Sequence, residues 1–239
     1  MLPWLMPHCV GFPDPRHALD EPNGLLAAGG ELSPEWLMTA YRQGIFPWYT
    51  PDQPILWWSP DPRLVLFPGE IRVRRSLAKR LRNAGFEVTF DRNFDAVIDA
   101  CAKSRADVEG TWITSNMRDA YCRLHRLGHA HSVEVWQDRR LAGGLYGVAL
   151  GRMFFGESMF SAERDASKVA LVHLAHHLSA NGGGLIDCQM HTSHLVSLGA
   201  RDIARDEFID YLEQYTCQPT TAWRQAASPK ITGGHYREQ

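Results

Sequence analysis

His131-Ser-Val-Glu-Val-Trp136, Leu141-Ala-Gly-Gly-Leu-Tyr-Gly-Val-Ala-Leu150 and Met153-Phe-Phe-Gly-Glu-Ser158 are three β-type runs, the first two parted by a polar turn at Asp138 to Arg140. Such short connections make neighbouring strands run antiparallel, so the stretch reads as a meander. The period then changes. Val169, Leu171, Val172, Leu174, Ala175 and Leu178 recur at helical spacing, Asp165 or Ser167 stands where an N-cap belongs, and Gly182-Gly183-Gly184 ends the run. Leu185-Ile-Asp-Cys-Gln-Met190 follows as a short buried strand, then a helix to Leu198-Gly199 and a last strand and helix to about 215. This order predicts an α+β domain, a mixed sheet with helices.

Upstream, Ser33-Pro34 reads as an N-cap and first-turn proline of a helix through Trp36, Leu37, Ala40 and Tyr41 that ends near Gly44. Residues 46–62 interleave Trp48, Tyr49, Trp57 and Trp58 with Pro47, Pro51, Pro54, Pro60 and Pro62, which reads as loop. Residues 73–84 predict a helix with Val73, Leu77, Leu81 and Ala84 on one face and a basic side of Arg72, Arg75, Lys79, Arg80 and Arg82. A strand at Phe86–Phe90 and helices at 93–103 and Thr114–Leu127 complete the pattern. The expected division is a small N-terminal domain (1–62), a larger domain (63–217) and a loosely held tail (218–239).

The 239 residues are 44% hydrophobic and 22% charged, an ordinary globular composition. No apolar stretch approaches the roughly 20 residues that cross a bilayer. Pro3 and Pro7 and the lack of basic residues argue against a leader helix at the start. Cys9, Cys101, Cys122, Cys188 and Cys217 are odd in number and scattered, as expected of reduced thiols in the cytoplasm. The net charge of −2 puts any nucleic-acid contact on a local patch. Eleven histidines have no carboxylate or cysteine partner in a zinc spacing, and no phosphate-binding glycine loop is present, so no metal and no nucleotide cofactor is expected.

Two places carry candidate chemistry. Asp187 and Gln189 are two apart on a strand, so both leave one face while Cys188 leaves the other. A carboxylate and an amide at a strand end can also simply satisfy backbone groups. Glu157 sits beside Phe154 and Phe155, where burial would raise its pKa, unless it pairs with Arg152 or Arg164. Aromatic side chains next to a basic helix suit a single-stranded RNA end, with base faces to stack and phosphates to hold. Core filling and a solvated basic face are the plainer readings of the same residues.

Long strings in one order resemble the leucyl/phenylalanyl-tRNA protein transferase family. Among them are Glu21-Pro-Asn-Gly-Leu-Leu-Ala-Ala-Gly-Gly-Glu-Leu-Ser33, Tyr41-Arg-Gln-Gly-Ile-Phe-Pro-Trp48, Pro54-Ile-Leu-Trp-Trp-Ser-Pro-Asp-Pro-Arg63, Phe155-Gly-Glu-Ser-Met-Phe-Ser161 and Leu185-Ile-Asp-Cys-Gln189. The resemblance implies a bacterial cytoplasmic enzyme with a GNAT-like acyltransferase domain after a small N-terminal one. Its implied reaction moves Leu or Phe, less readily Met, from Leu-tRNA or Phe-tRNA to proteins whose N-terminal residue is Arg or Lys, marking them for N-degron degradation. It implies no cofactor and no membrane partner, and the chain is expected to be a monomer. By the same resemblance Asp187, Gln189 and Glu157 are catalytic, Trp48 and Trp112 contact the aminoacyl end and terminal adenosine, and Leu145 and Phe154 wall the amino-acid pocket.

Elementary chemistry adds to this. The aminoacyl ester is already activated, so alignment, a base for the acceptor amine and stabilisation of the oxyanion suffice. Either Asp187 or Glu157 could be that base; Gln189, barely basic, could orient the amine. Ile186 is a further pocket candidate, and Arg72, Arg75, Lys79, Arg80 and Arg82 are expected to hold tRNA phosphates. A GNAT-type acetyltransferase is the rival enzyme, weakened by the lack of a pyrophosphate loop before Asp165. A non-catalytic RNA-binding module is the other rival, and it would have no use for Asp187 and Glu157.

Overall fold

The computed structural model describes residues 1–106, 113–220 and 223. Strands β1 (Trp4–Leu5), β2 (Leu25–Gly29), β3 (Phe46–Pro47) and β4 (Leu56–Trp58) form one sheet in the order β1-β2-β4-β3, with helix α1 (Pro34–Arg42) between β2 and β3. The second sheet holds β5 (Arg63–Leu66), β6 (Glu87–Phe90), β7 (Ala130–Gln137), β8 (Arg140–Leu150), β9 (Met153–Ser161), β10 (Leu185–Gln189) and β11 (Arg201–Ile203). Its order is β11-β5-β10-β9-β8-β7-β6. The remaining helices are α2 (Arg75–Asn83), α3 (Phe94–Ala106), α4 (Ser115–Arg126), α5 (Ala166–Ala180), α6 (Ser193–Val196) and α7 (Arg205–Thr216). Among the described residues no helix is long and apolar enough to cross a membrane.

Local signals account for most of these elements. Ser33 Oγ accepts from the Trp36 N–H and Pro34 opens α1, whose buried face carries Trp36, Leu37, Ala40 and Tyr41. Strands β7, β8 and β9 are antiparallel, and the β7–β8 turn has Asp138 and Arg139 at φ 49° and 62°, the left-handed pair a tight hairpin requires. Crossing over through α5 makes β10 parallel to β9. One expectation fails in the proline-rich segment, which contains β3 and β4. Pro47 lies on the edge strand, where a missing N–H removes no ladder bond, and Trp57 and Trp58 pair with β2.

Alternation along β8 and β9 feeds two cores. Tyr146 and Phe155 join the core formed with the four-stranded sheet, α1, α3 and α4, while Leu145 and Phe154 join the core beneath α5. In the C-terminal segment, Trp223 is buried, its ring stacked on His131 at 4.2 Å and tilted against Phe154 at 5.4 Å.

Where β8 passes β9 there is no room at Gly147: an added Cβ would lie 2.2 Å from the Phe155 carbonyl oxygen and 2.7 Å from the Phe154 ring. Gly147→Ala is expected to destabilise the fold by about 2–3 kcal/mol through overpacking. Gly69→Ala, with nothing within 4 Å, should be close to neutral in the same urea denaturation experiment.

Candidate active site

Two strand irregularities lie side by side. Pairing of β9 with β10 runs to Phe155 opposite Asp187. Beyond it, Tyr146 faces Ser158 and Gly147 faces Gly156, so Glu157 is the extra residue of a bulge. On β10, Asp187 faces Val65 while Gln189 faces Leu64, so Cys188 is the extra residue and Gln189 adopts φ 63°. The simple alternation expected at Asp187-Cys188-Gln189 is thereby broken, and a bulge re-aims the side chains around it.

The re-aimed side chains form a continuous polar network. Gln189 Nε2 donates to Glu157 Oε1 at 2.8 Å. Tyr41 Oη, from α1, lies 2.8 Å from the same oxygen, and Tyr121 Oη, from α4, lies 2.7 Å from Oε2. The two phenol oxygens are 2.6 Å apart. Neither Arg152 nor Arg164 pairs with Glu157. Asp187 takes Arg63 Nε at 2.8 Å and Nη2 at 2.7 Å, and its Oδ1 also accepts the Gln189 backbone N–H at 2.8 Å.

Burial dominates the electrostatics. Glu157 is 6% exposed, and loss of water pushes its carboxyl up to about 7. Hydrogen bonds from Tyr121 and Tyr41 oppose that rise, the Asp187 charge adds to it, and the Gln189 amide opposes it. Burial likewise drives both tyrosine hydroxyls well above the usual phenol range, with the Glu157 charge adding to it. Glu157 is thus a carboxyl that can change charge near neutrality.

These groups line one end of a cavity of about 460 Å³. Leu145, Phe154, Leu171, Leu174, Ile186 and Leu195 give it an apolar wall, and Trp48, 38% exposed, stands on the side formed by the N-terminal sheet. Leu145, Phe154, Ile186, Glu157, Asp187, Gln189 and Trp48 therefore meet at one cavity. Trp112 lies outside the described residues. Arg72, Arg75, Lys79 and Arg82 are exposed on or just before α2. Arg80 is half-buried: its Nη2 donates to the Arg164 carbonyl at 2.9 Å and its guanidinium lies 5.2 Å over the Phe86 ring.

Sequence reasoning missed Tyr41, Tyr121, Arg63, Leu171 and Leu195 as site residues. Tyr41 and Tyr121 occupy buried faces of amphipathic helices, where a tyrosine reads as core, and only the meeting of α1 with α4 turns their hydroxyls onto Glu157. A family model described as leucyl/phenylalanyl-tRNA protein transferase matches residues 65–213, and its N-terminal domain model matches residues 30–61. The chain belongs to the leucyl/phenylalanyl-tRNA protein transferase family. A leucyl/phenylalanyl-tRNA–protein transferase of Chromohalobacter salexigens is 69% identical over 98% of this chain and 91% of its own length. One from Pseudomonas putida is 61% identical over 94% of this chain and 100% of its own. A solved GCN5-related N-acetyltransferase from Kribbella flavida overlaps 72% of this chain and 61% of its own at 13% identity and a TM-score of 0.38, too loose to carry an argument.

Two stability experiments follow from this transferase-family site. Because the folded protein holds the Glu157 proton to about pH 7 against an ordinary value of 4.5, its contribution is present below about 4.5 and lost as pH rises through 7. That loss is about 3 kcal/mol; urea denaturation at acid and mildly alkaline pH should show it, and Glu157→Gln should remove it. Asp187→Ala leaves the Arg63 guanidinium buried and unpaired and is expected to destabilise by about 3–5 kcal/mol. In a double-mutant cycle, adding Arg63→Leu should recover part of that loss.

Proposed function

We propose that this enzyme transfers Leu or Phe, less readily Met, from aminoacyl-tRNA to the N-terminal Arg or Lys of acceptor proteins, marking them for N-degron degradation. In this reading it works in the cytoplasm as a monomer, with residues 1–62 as the small domain, 63–217 as the GNAT-like acyl-transfer domain and 218–239 as the tail. The observation that carries the reading is the single cavity with an apolar wall at Leu145, Phe154 and Ile186 and a titratable carboxyl, Glu157, at its polar end.

Glu157 is the base. An α-amine is mostly protonated at neutral pH, and a carboxyl that titrates near 7 is well matched to removing its proton. Asp187 is engaged by the Arg63 guanidinium through both oxygens, and its Oδ1 also accepts the Gln189 backbone N–H. It acts as a positioning residue, fixing the left-handed turn that aims Gln189. With Gln189 Nε2 donating to Glu157, the amide oxygen is the atom that can accept from the incoming amine and direct its lone pair. The Leu or Phe side chain fills the apolar wall, which discriminates by about 1–3 kcal/mol per methylene. Trp48 offers a ring face to the terminal adenosine, the proposed site of Trp112 as well. Arg72, Arg75, Lys79, Arg80 and Arg82 hold tRNA phosphates.

The test is to supply labelled Leu-tRNA or labelled acetyl-CoA together with a protein beginning with Arg. Leucine label is expected at the acceptor N-terminus; acetyl label, or neither, would sink the proposal. Glu157→Gln should slow transfer by roughly 10²–10⁴-fold while filter-binding affinity for Leu-tRNA stays within a few-fold.

A further inference from the structure

The contacts among Tyr41, Tyr121 and Glu157 outnumber the hydrogens available to an ionised site. Three oxygen–oxygen links, at 2.6, 2.8 and 2.7 Å, join Tyr41 to Tyr121, Tyr41 to Glu157 and Tyr121 to Glu157. All are hydrogen-bond distances for hydroxyl donors. With Glu157 ionised, the two phenols supply only two hydrogens, so one link must set lone pair against lone pair between buried side chains. Adding one proton removes the shortage. Glu157 Oε2–H then donates to Tyr121, Tyr121 to Tyr41, and Tyr41 to Oε1, which also accepts from Gln189 Nε2.

We propose that Tyr41, Tyr121 and Glu157 form a closed hydrogen-bonded ring around one shared proton, and that the two tyrosines are positioning residues that strengthen Glu157 as a base. A buried carboxylate surrounded by donors would ordinarily bind a proton weakly; the ring makes the same hydroxyls favour the protonated state. The three groups titrate as one unit. The other titratable groups facing it are Tyr146 of β8 and Asp187 of β10, whose charge Arg63 of β5 balances.

The inference about catalysis rests on Glu157 being the base of the proposed reaction. An acceptor ammonium gives one proton to the ionised ring and attacks the ester carbonyl, forming the C–N bond. As the ester C–O bond breaks, the nitrogen loses a second proton and the ribose oxygen gains one. The products are an amide, a ribose hydroxyl and one proton, which the ring returns to water.

Infrared difference spectra of the full-length protein against Glu157→Gln, recorded across pH, isolate the carbonyl band of the protonated Glu157. The ring predicts that Tyr41→Phe and Tyr121→Phe each weaken proton binding roughly tenfold, the loss of about one hydrogen bond, so the midpoint moves to lower pH. If the hydroxyls merely donate to a carboxylate, each substitution moves the midpoint to higher pH; that result, or no movement, overturns the ring. Circular dichroism checks that each variant is folded, and two independent single variants guard against loss of either one. The pH profile of single-turnover Leu transfer is then compared with the infrared midpoints. Parallel shifts support both ideas; a lowered infrared midpoint with an unmoved rate profile keeps the ring and removes Glu157 as the base.

Discussion

An arginine and an aspartate buried beyond the reach of water, Arg63 and Asp187, are 1% and 0% exposed and joined by two parallel hydrogen bonds. Either charge alone would be untenable there. Arg63 also donates to the Gly44 carbonyl at 3.1 Å and lies against the rings of Phe46 and Phe208. One guanidinium thus ties β5 to β10, to the chain leaving α1 and to α7. Buried pairs of this kind are often close to neutral in net stability, whereas losing one partner is costly.

The site's geometry follows from that pair. Asp187 holds the Gln189 backbone N–H, the N–H fixes a left-handed residue next to a bulge, and the turn delivers the Gln189 amide to Glu157. From the opposite side α1 and α4 bring two hydroxyls to the same carboxyl. Burial and the nearby Asp187 favour its proton and push the carboxyl up to about 7. The apolar wall comes from the other alternate set of strand residues. Leu145 and Phe154 belong to the core beneath α5, whereas Tyr146 and Phe155 belong to the core on the other face. The cavity opens where pairing between β9 and β10 ends, which lets it draw on both sets.

Much of the chain's local order is legible without coordinates. The capped start of α1, the meander, the glycine stop after α5 and the strand at Leu185 all follow from short-range rules, because hairpin turns, caps and periodicity involve residues only a few positions apart. The strands around Trp57 and Arg63 were hidden for a matching reason. Leu64-Val65-Leu66 is buried on both faces and shows no alternation, and the prolines near Trp57 mask a strand whose partners lie elsewhere.

Sequence alone determined the order of elements from the meander onward, the family strings and several of the side chains that line the cavity, including Glu157, Gln189, Leu145, Phe154 and Ile186. Tertiary structure decided what each of them touches. Arg63 meets Asp187 across 124 positions and Tyr41 meets Glu157 across 116. No pattern of spacing encodes such contacts. They depend on which faces of two helices and two bulged strands come together, and that packing set Asp187 against Arg63 and buried Glu157 among two tyrosines and an amide.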